Sequence, residues 1–223
     1  MKLRASDSDE YIISATYSNP DKELPRIPKI LDGKVTFLRM DLSNPGSIQE
    51  VFSTIFRDYS RLDILVNNAA AGFYGPLQDM KVEAIEQTYQ INLVGPALVL
   101  HHALKLMTFS GEKRKDPATV ITVSSTAGAV GLPMMDVYSS AKFGLEGLTA
   151  ALAGYMGELA NVRCRVIEPG FTQTKFAERG DFPDVISSIL QEFFNNFKAT
   201  LDKGLSKGQT PQEVAEMIND DRG

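Results

Sequence analysis

Short apolar runs rich in β-branched residues alternate along the chain with longer stretches of helical periodicity. Tyr11–Thr16 and Val35–Met40 read as strands, the second ending at Asp41. Asn44-Pro45 then supplies a cap and a first-turn proline for a helix running to about Tyr59. Leu62–Val66 is a third strand that passes straight into Asn67-Asn68. Helical spacing covers roughly Lys81–Leu93 and Pro96–Met107, and Thr119–Val123 is a fourth strand. A long helix follows from Tyr138 to about Leu159, then a fifth strand, Val162–Glu168. Thr210-Pro211-Gln212-Glu213 opens a last helix with a capping pattern. Strand and helix alternate, and several strands are apolar on both faces. The pattern therefore predicts a parallel sheet sandwiched between helices, in a single α/β domain over 1–223.

Sheets of this kind bind ligands in the crevice beyond the carboxyl ends of their strands. Asp41, Asn67-Asn68, Ser124-Ser125 and Pro169-Gly170 each sit just past a predicted strand, so the four clusters share one rim. Tyr138 and Lys142 lie four apart on the long helix and so share a face. A free phenol has a pKa of about 10, too high for ready proton exchange at neutrality. A nearby ammonium favours the phenolate, which suits general acid–base work. Taken alone, the pair also fits an ordinary surface spacing. Ser125, at the end of the fourth strand, is joined to Tyr138 by a loop of small and apolar residues that can turn the helix start back towards the strand end. Its hydroxyl is suited to holding a substrate carbonyl against the phenol, while a plain polar turn is the other reading of Ser124-Ser125.

Asn67-Asn68-Ala69-Ala70, Asn92-Leu93-Val94-Gly95, Ser125 with Tyr138-Ser139-Ser140-Ala141-Lys142, and Pro169-Gly170-Phe171-Thr172-Gln173-Thr174 occur in a telling order. In order and spacing the chain resembles the short-chain dehydrogenase/reductase family, from about Ser6 to Thr174. The wording of Gly131-Leu132-Pro133, Asp136-Val137-Tyr138 and Lys142-Phe143-Gly144-Leu145-Glu146-Gly147 looks like its 17β-hydroxysteroid/retinol dehydrogenase branch. The resemblance implies a Rossmann-like, doubly wound parallel sheet with helices on both faces. It also implies a catalytic set of Asn92, Ser125, Tyr138 and Lys142. Tyr138 would exchange a proton with the substrate oxygen, Lys142 would lower its pKa and hold the nicotinamide ribose, and Ser125 would orient the carbonyl. Asn92 would hold a water linking Lys142 to solvent; a helix-interior Asn bonding nearby backbone is the plainer reading. Asp41 and Leu42 would meet the adenine, and Asn68, Ala69 and Ala70 the ribose and pyrophosphate. Pro169, Gly170, Thr172 and Thr174 would line the nicotinamide end. Met134 and Met135, beside the catalytic loop, would join Ser125 and Tyr138 around the substrate. Pairing of helices near Pro96 and Tyr138 would make a homo-oligomer, with Ala141, Gly144, Gly147, Ala150, Ala151 and Gly154 permitting close packing.

Two departures from the family pattern bear on this reading. Ala70 stands where the family has glycine, which would crowd a positive-φ position. No strand with a glycine-rich turn precedes Tyr11, and Met1–Asp7 looks like the tail of the helix that follows such a turn. The sequence therefore predicts a fold lacking its first strand, and a far end that also stops early. The Tyr11–Thr16 and Ile64–Val66 strands would then lose a shared neighbour, and unpaired buried backbone groups cost about 1–3 kcal/mol each. An active enzyme known from a partial sequence is the preferred reading. A truncated, catalytically impaired relative acting as an interaction or decoy protein is the alternative, and a dinucleotide sensor without chemistry a third.

Composition narrows the partners. Hydrophobic residues at 43% and charged residues at 23% are an ordinary globular balance. A net charge of −5 offers no footprint for nucleic acid. No uninterrupted apolar stretch is long enough to span a bilayer. Single Cys164 fits a reducing, cytoplasmic setting, and adjacent His101 and His102 are poor joint ligands, so no metal is expected. Thr16-Tyr17-Ser18-Asn19 has no carboxylate to repel a 2′-phosphate, which favours NADP, with NAD the other option. Residues 175–209 form the expected substrate lid. Phe182, Ile186, Ile189, Leu190, Phe193, Phe194 and Phe197 recur there at helical spacing, either as a cover for a small lipophilic alcohol or ketone, such as a steroid or retinoid, or as plain core packing.

Overall fold

The computed structural model describes residues 13–17, 35–174, 176, 183 and 188–220. Its strands are β1 (Ile13–Tyr17), β2 (Val35–Arg39), β3 (Ile64–Asn67), β4 (Ala118–Val123) and β5 (Val162–Ile167). The helices are α1 (Pro45–Tyr59), α2 (Val82–Tyr89), α3 (Gly95–Met107), α4 (Thr126–Ala129), α5 (Asp136–Ala160), α6 (Ser188–Lys207) and α7 (Pro211–Asp220). All described strand pairs are parallel. β1 pairs with β2, and β3-β4-β5 form a second sheet, with Ile64 opposite Thr119 and Ala118 opposite Val162. Among the described residues no strand pairs with both β1 and β3.

Local chemistry sets the elements. The Asn44 side chain caps α1 by accepting from Gly46 N at 2.9 Å and Ser47 N at 3.3 Å, with Pro45 in the first turn. Ser60 ends the helix in the left-handed region, and Ile48, Val51, Phe52 and Ile55 face inward at helical spacing. At α7 a capping box closes the start: Thr210 N donates to Glu213 Oε2 at 2.6 Å, and Glu213 N to Thr210 Oγ1 at 3.2 Å.

Between Lys81 and Met107 the structure departs from the two separate helices expected. A π-helical turn, Gln90–Val94, joins α2 to α3 without a break. Gly95 N donates to Gln90 O, five residues back, so the ladder widens just where Pro96 lacks an N–H. Gly95 is required for a second reason: a Cβ there would lie 2.6 Å from the Leu42 carbonyl oxygen.

β4 is buried along its whole length. Ala118 and Val120 pack with Leu100, Met107, Leu145 and Leu152 of α3 and α5, while Ile121 and Val123 pack with Ile167 and Ile218 of α7. Helices therefore cover both faces of this sheet. Leu38 and Met40, at the β2 end, pack with Leu65 of β3 against one cluster from α1 and α3, which ties the two sheets into one layer. Ile121→Ala is expected to cost about 2–5 kcal/mol in urea unfolding, whereas Ile189→Ala, at a side chain 86% exposed, is expected to change stability by less than about 0.5 kcal/mol.

Candidate active site

Ser125 lies two residues past β4 and caps the four-residue helix α4, its hydroxyl accepting from Ala127 N at 3.2 Å. That short helix replaces part of the loop expected between Ser125 and Tyr138. Tyr138 stands in the first turn of α5, and the Ser125 side chain is the influence that lowers its phenol. One turn further, Lys142 is only 2% exposed and donates from Nζ to Val123 O at 3.1 Å, with Nζ 5.7 Å from the centre of the Tyr138 ring. Phenol, amine and hydroxyl thus meet at the carboxyl end of β4.

Burial dominates their electrostatics. It pushes the Tyr138 phenol up to about 12, while Ser125 pulls the other way. It also pushes Lys142 down to about 8, with Glu146 opposing. The direction of the phenol's shift is thus set by burial. The Lys142 ammonium is itself depressed, and its hydrogen bond goes to a backbone carbonyl. Tyr74 stands nearby, fully buried, its phenol pushed up by burial and then by Tyr138.

A cleft of about 1180 Å³ opens over the strand ends. Asp41 and Leu42, past β2, form one edge of it. Asn68, Ala69 and Ala70 follow β3 into its floor. Pro169, Gly170, Thr172 and Thr174 enter from the exit of β5, and Ser125, Met135, Tyr138 and Lys142 occupy the centre. The Asp41 carboxylate accepts from Ser43 N at 2.9 Å and Ser43 Oγ at 2.6 Å, which holds it at the strand exit. Ala70 keeps a negative φ, so the crowding expected there does not arise.

Two expected site residues stand away from the cleft. Asn92, fully buried in the π turn, donates to Ala71 O and Thr88 O, both at 2.9 Å, and accepts from Ala71 N at 3.1 Å. Its side chain is committed to fixing the loop after β3. Met134 is buried with a left-handed φ of 64°, and its carbonyl accepts from Gly75 N at 2.9 Å. It shapes the loop, and Met135 faces the cleft.

The lid stripe is only partly realised. Phe182 and Ile186 lie outside the described residues, as do Ser18 and Asn19. On α6 the inward positions are Phe194, Phe197, Leu201 and Leu205, while Ile189 and Phe193 face out. Sequence reading missed Tyr74, Phe176, Leu201 and Leu205, which line the cleft, although the glycines flanking Phe73-Tyr74 are a local signal. Phe176 lies 5.7 Å from the Tyr138 ring and 6.2 Å from Tyr74. Gln209 was also missed: its side chain accepts from Gly170 N at 3.3 Å, and its backbone exchanges bonds with Phe171 and Gln173 at 2.8 Å each. Among the described residues no group of three or more His, Cys, Asp or Glu could hold a metal ion, and no helix is long and apolar enough to cross a membrane.

The model of the short chain dehydrogenase family matches residues 6–181. The chain belongs to that family. This short-chain dehydrogenase is 27% identical over 228 residues to estradiol 17-beta-dehydrogenase 1 of Rattus norvegicus, a match covering 98% of this chain and 64% of that protein. It is 28% identical over 192 residues to retinol dehydrogenase 8 of Homo sapiens, covering 82% of this chain and 59% of that protein. The chain thus spans less than two thirds of the length of these curated relatives. In fold it is similar to a short-chain dehydrogenase from Streptomyces avermitilis, with a TM-score of 0.76 at 20% identity over 93% of this chain and 73% of that one.

A nicotinamide dinucleotide fits the residues present. Lys142 has three N–H donors and finds one acceptor, Val123 O, among the described residues, so it retains donors for a ribose diol at the cleft. Keeping it there is costly. Its ordinary value of 10.5 falls to about 8, so between those values the unfolded chain binds more protons and stability rises with pH. Lys142→Met is expected to lose this rise in stability between pH 8 and 10.5, as read by urea denaturation along a pH series.

Proposed function

We propose that this short-chain dehydrogenase interconverts a lipophilic alcohol with its ketone or aldehyde, using NADP in preference to NAD. The observation that carries the reading is the meeting of half-buried Ser125 with buried Tyr138 and Lys142 just past the end of β4. Bound nicotinamide supplies or takes up the hydride. Lys142 holds the ribose hydroxyls with its free donors, and Asp41, Leu42, Asn68, Ala69 and Ala70 receive the rest of the nucleotide along the strand exits. Pro169, Gly170, Thr172 and Thr174 wall the nicotinamide end.

Ser125 orients the substrate oxygen towards the Tyr138 phenol. In reduction Tyr138 gives that oxygen its proton, and in oxidation takes it back. Because the phenol stays protonated at neutrality, it is equipped to donate. Asn92 supports the site by fixing the floor loop at Ala71. The apolar wall of Met135, Phe176, Leu201 and Leu205 supports a lipophilic substrate under a lid drawn from 175–209. The names of the steroid and retinol dehydrogenases that the chain resembles agree with that chemistry. Exposed Phe143, Gly147, Ala150, Ala151 and Gly154 on the outer side of α5 favour pairing with a second copy, whereas Ala141 is buried and Gly144 packs on Leu93. A cytoplasmic setting completes the reading.

Tyr138→Phe is expected to lower turnover by at least about 10²-fold while leaving NADPH affinity within a few-fold of the parent. Nucleotide absorbance reads the first and NADPH fluorescence titration the second. Undiminished turnover in the variant would falsify the assignment.

A further inference from the structure

Three side chains of α5 meet three consecutive residues at the exit of β4, Thr122, Val123 and Ser124. Thr149 Oγ1 donates to Thr122 Oγ1 at 3.0 Å, Lys142 Nζ to Val123 O at 3.1 Å, and Ser124 Oγ to Glu146 Oε1 at 2.5 Å. Positions 142, 146 and 149 lie on one helix face, so Glu146 stands one turn beyond Lys142 over the same strand end. Gly128 of α4 makes room for it, since a Cβ there would run into both Glu146 Oε1 and Ser124 Oγ. Glu146 does not line the cleft, so it reaches neither substrate nor nucleotide directly.

We propose that Glu146 is a positioning residue, a counter-charge held by Ser124 and the Gly128 slot that keeps Lys142 an ammonium beside Tyr138. One helix turn separates this carboxylate from an amine whose charge burial disfavours. Among the described residues, the groups facing Lys142 leave Glu146 alone in this role. On its own helix stand Tyr138 and Glu146; β4 offers the Val123 carbonyl, and α4 offers Thr126, Ala127 and Gly128. Among the described lining residues the one carboxylate, Asp41, sits at the exit of β2 and accepts from Ser43. Burial lowers the Lys142 ammonium, and Glu146 is the influence that opposes it. Its importance for turnover rests on the proposed function, but the charge relation itself does not.

The test is a titration of Lys142 by NMR on the full chain carrying ¹³C-labelled lysine, the signal assigned by its loss in Lys142→Met. Glu146→Gln keeps an oxygen for Ser124 and removes the charge. It is expected to lower the Lys142 midpoint by about one pH unit or more. Gly128→Ala, which displaces the carboxylate without changing it, is expected to move the midpoint the same way and carries the test if Glu146→Gln fails to fold. A Lys142 midpoint unchanged in the folded variant overturns the proposal. Since no turnover is needed, a midpoint that moves in a chain without dehydrogenase activity upholds this inference and sinks the proposed function instead.

Discussion

An ammonium group 2% exposed to solvent, hydrogen-bonded to the end of a fully buried strand, is the constraint around which this site is arranged. An unpaired charge in that position is strongly disfavoured, so Lys142 holds α5 against β4 only with partners in place. The Val123 carbonyl takes one donor, and Thr149 and Glu146 tie the same helix face to Thr122 and Ser124. With α5 fixed in rotation and height, Tyr138, one turn before Lys142, has to face the strand exit where Ser125 begins α4. The helix contact that builds the core thereby sets the reacting groups.

The rest of the rim is held mostly by backbone. Asn92 clamps Ala71 below the β3 exit, Thr126 N donates to Pro169 O at 3.1 Å, and Gln209 binds the segment after β5. Gly208 belongs to this clamp, since a Cβ on it would strike the Phe171 carbonyl. Such bonds fix loop shape while leaving side chains free for a ligand. The same region carries the destabilised groups, two buried phenols and a depressed amine. A site that holds groups for chemistry gives up some stability to do so.

Elements with a local signal were legible in the sequence. Asn44-Pro45 and the Ile48, Val51, Phe52, Ile55 spacing marked α1 from Pro45 to Tyr59, and Thr210 with Glu213 marked α7. The alternation of strand and helix fixed a parallel sheet because βαβ connections permit little else. What stayed hidden depends on partners remote in sequence. The π turn at Asn92 needs Ala71 and Leu42 to explain it, so Gly95-Pro96 read as a break. The left-handed backbone at Met134 carries no glycine signal, and Gln209 has no motif of its own. The phenylalanine stripe misled because helical spacing does not say which face is inward; Phe194, Phe197, Leu201 and Leu205 won that face through Tyr74 and Phe176. The raised Tyr138 phenol was not legible because its burial is invisible in sequence.

The most direct measurement is a crystal structure of the chain grown with NADPH. The account predicts the nicotinamide ribose hydroxyls within hydrogen-bonding reach of Lys142 Nζ, the ring beside Tyr138 and Ser125, and the adenine near Asp41 and Leu42. Nucleotide bound elsewhere, or in the cleft with Lys142 still directed only at Val123, would contradict it.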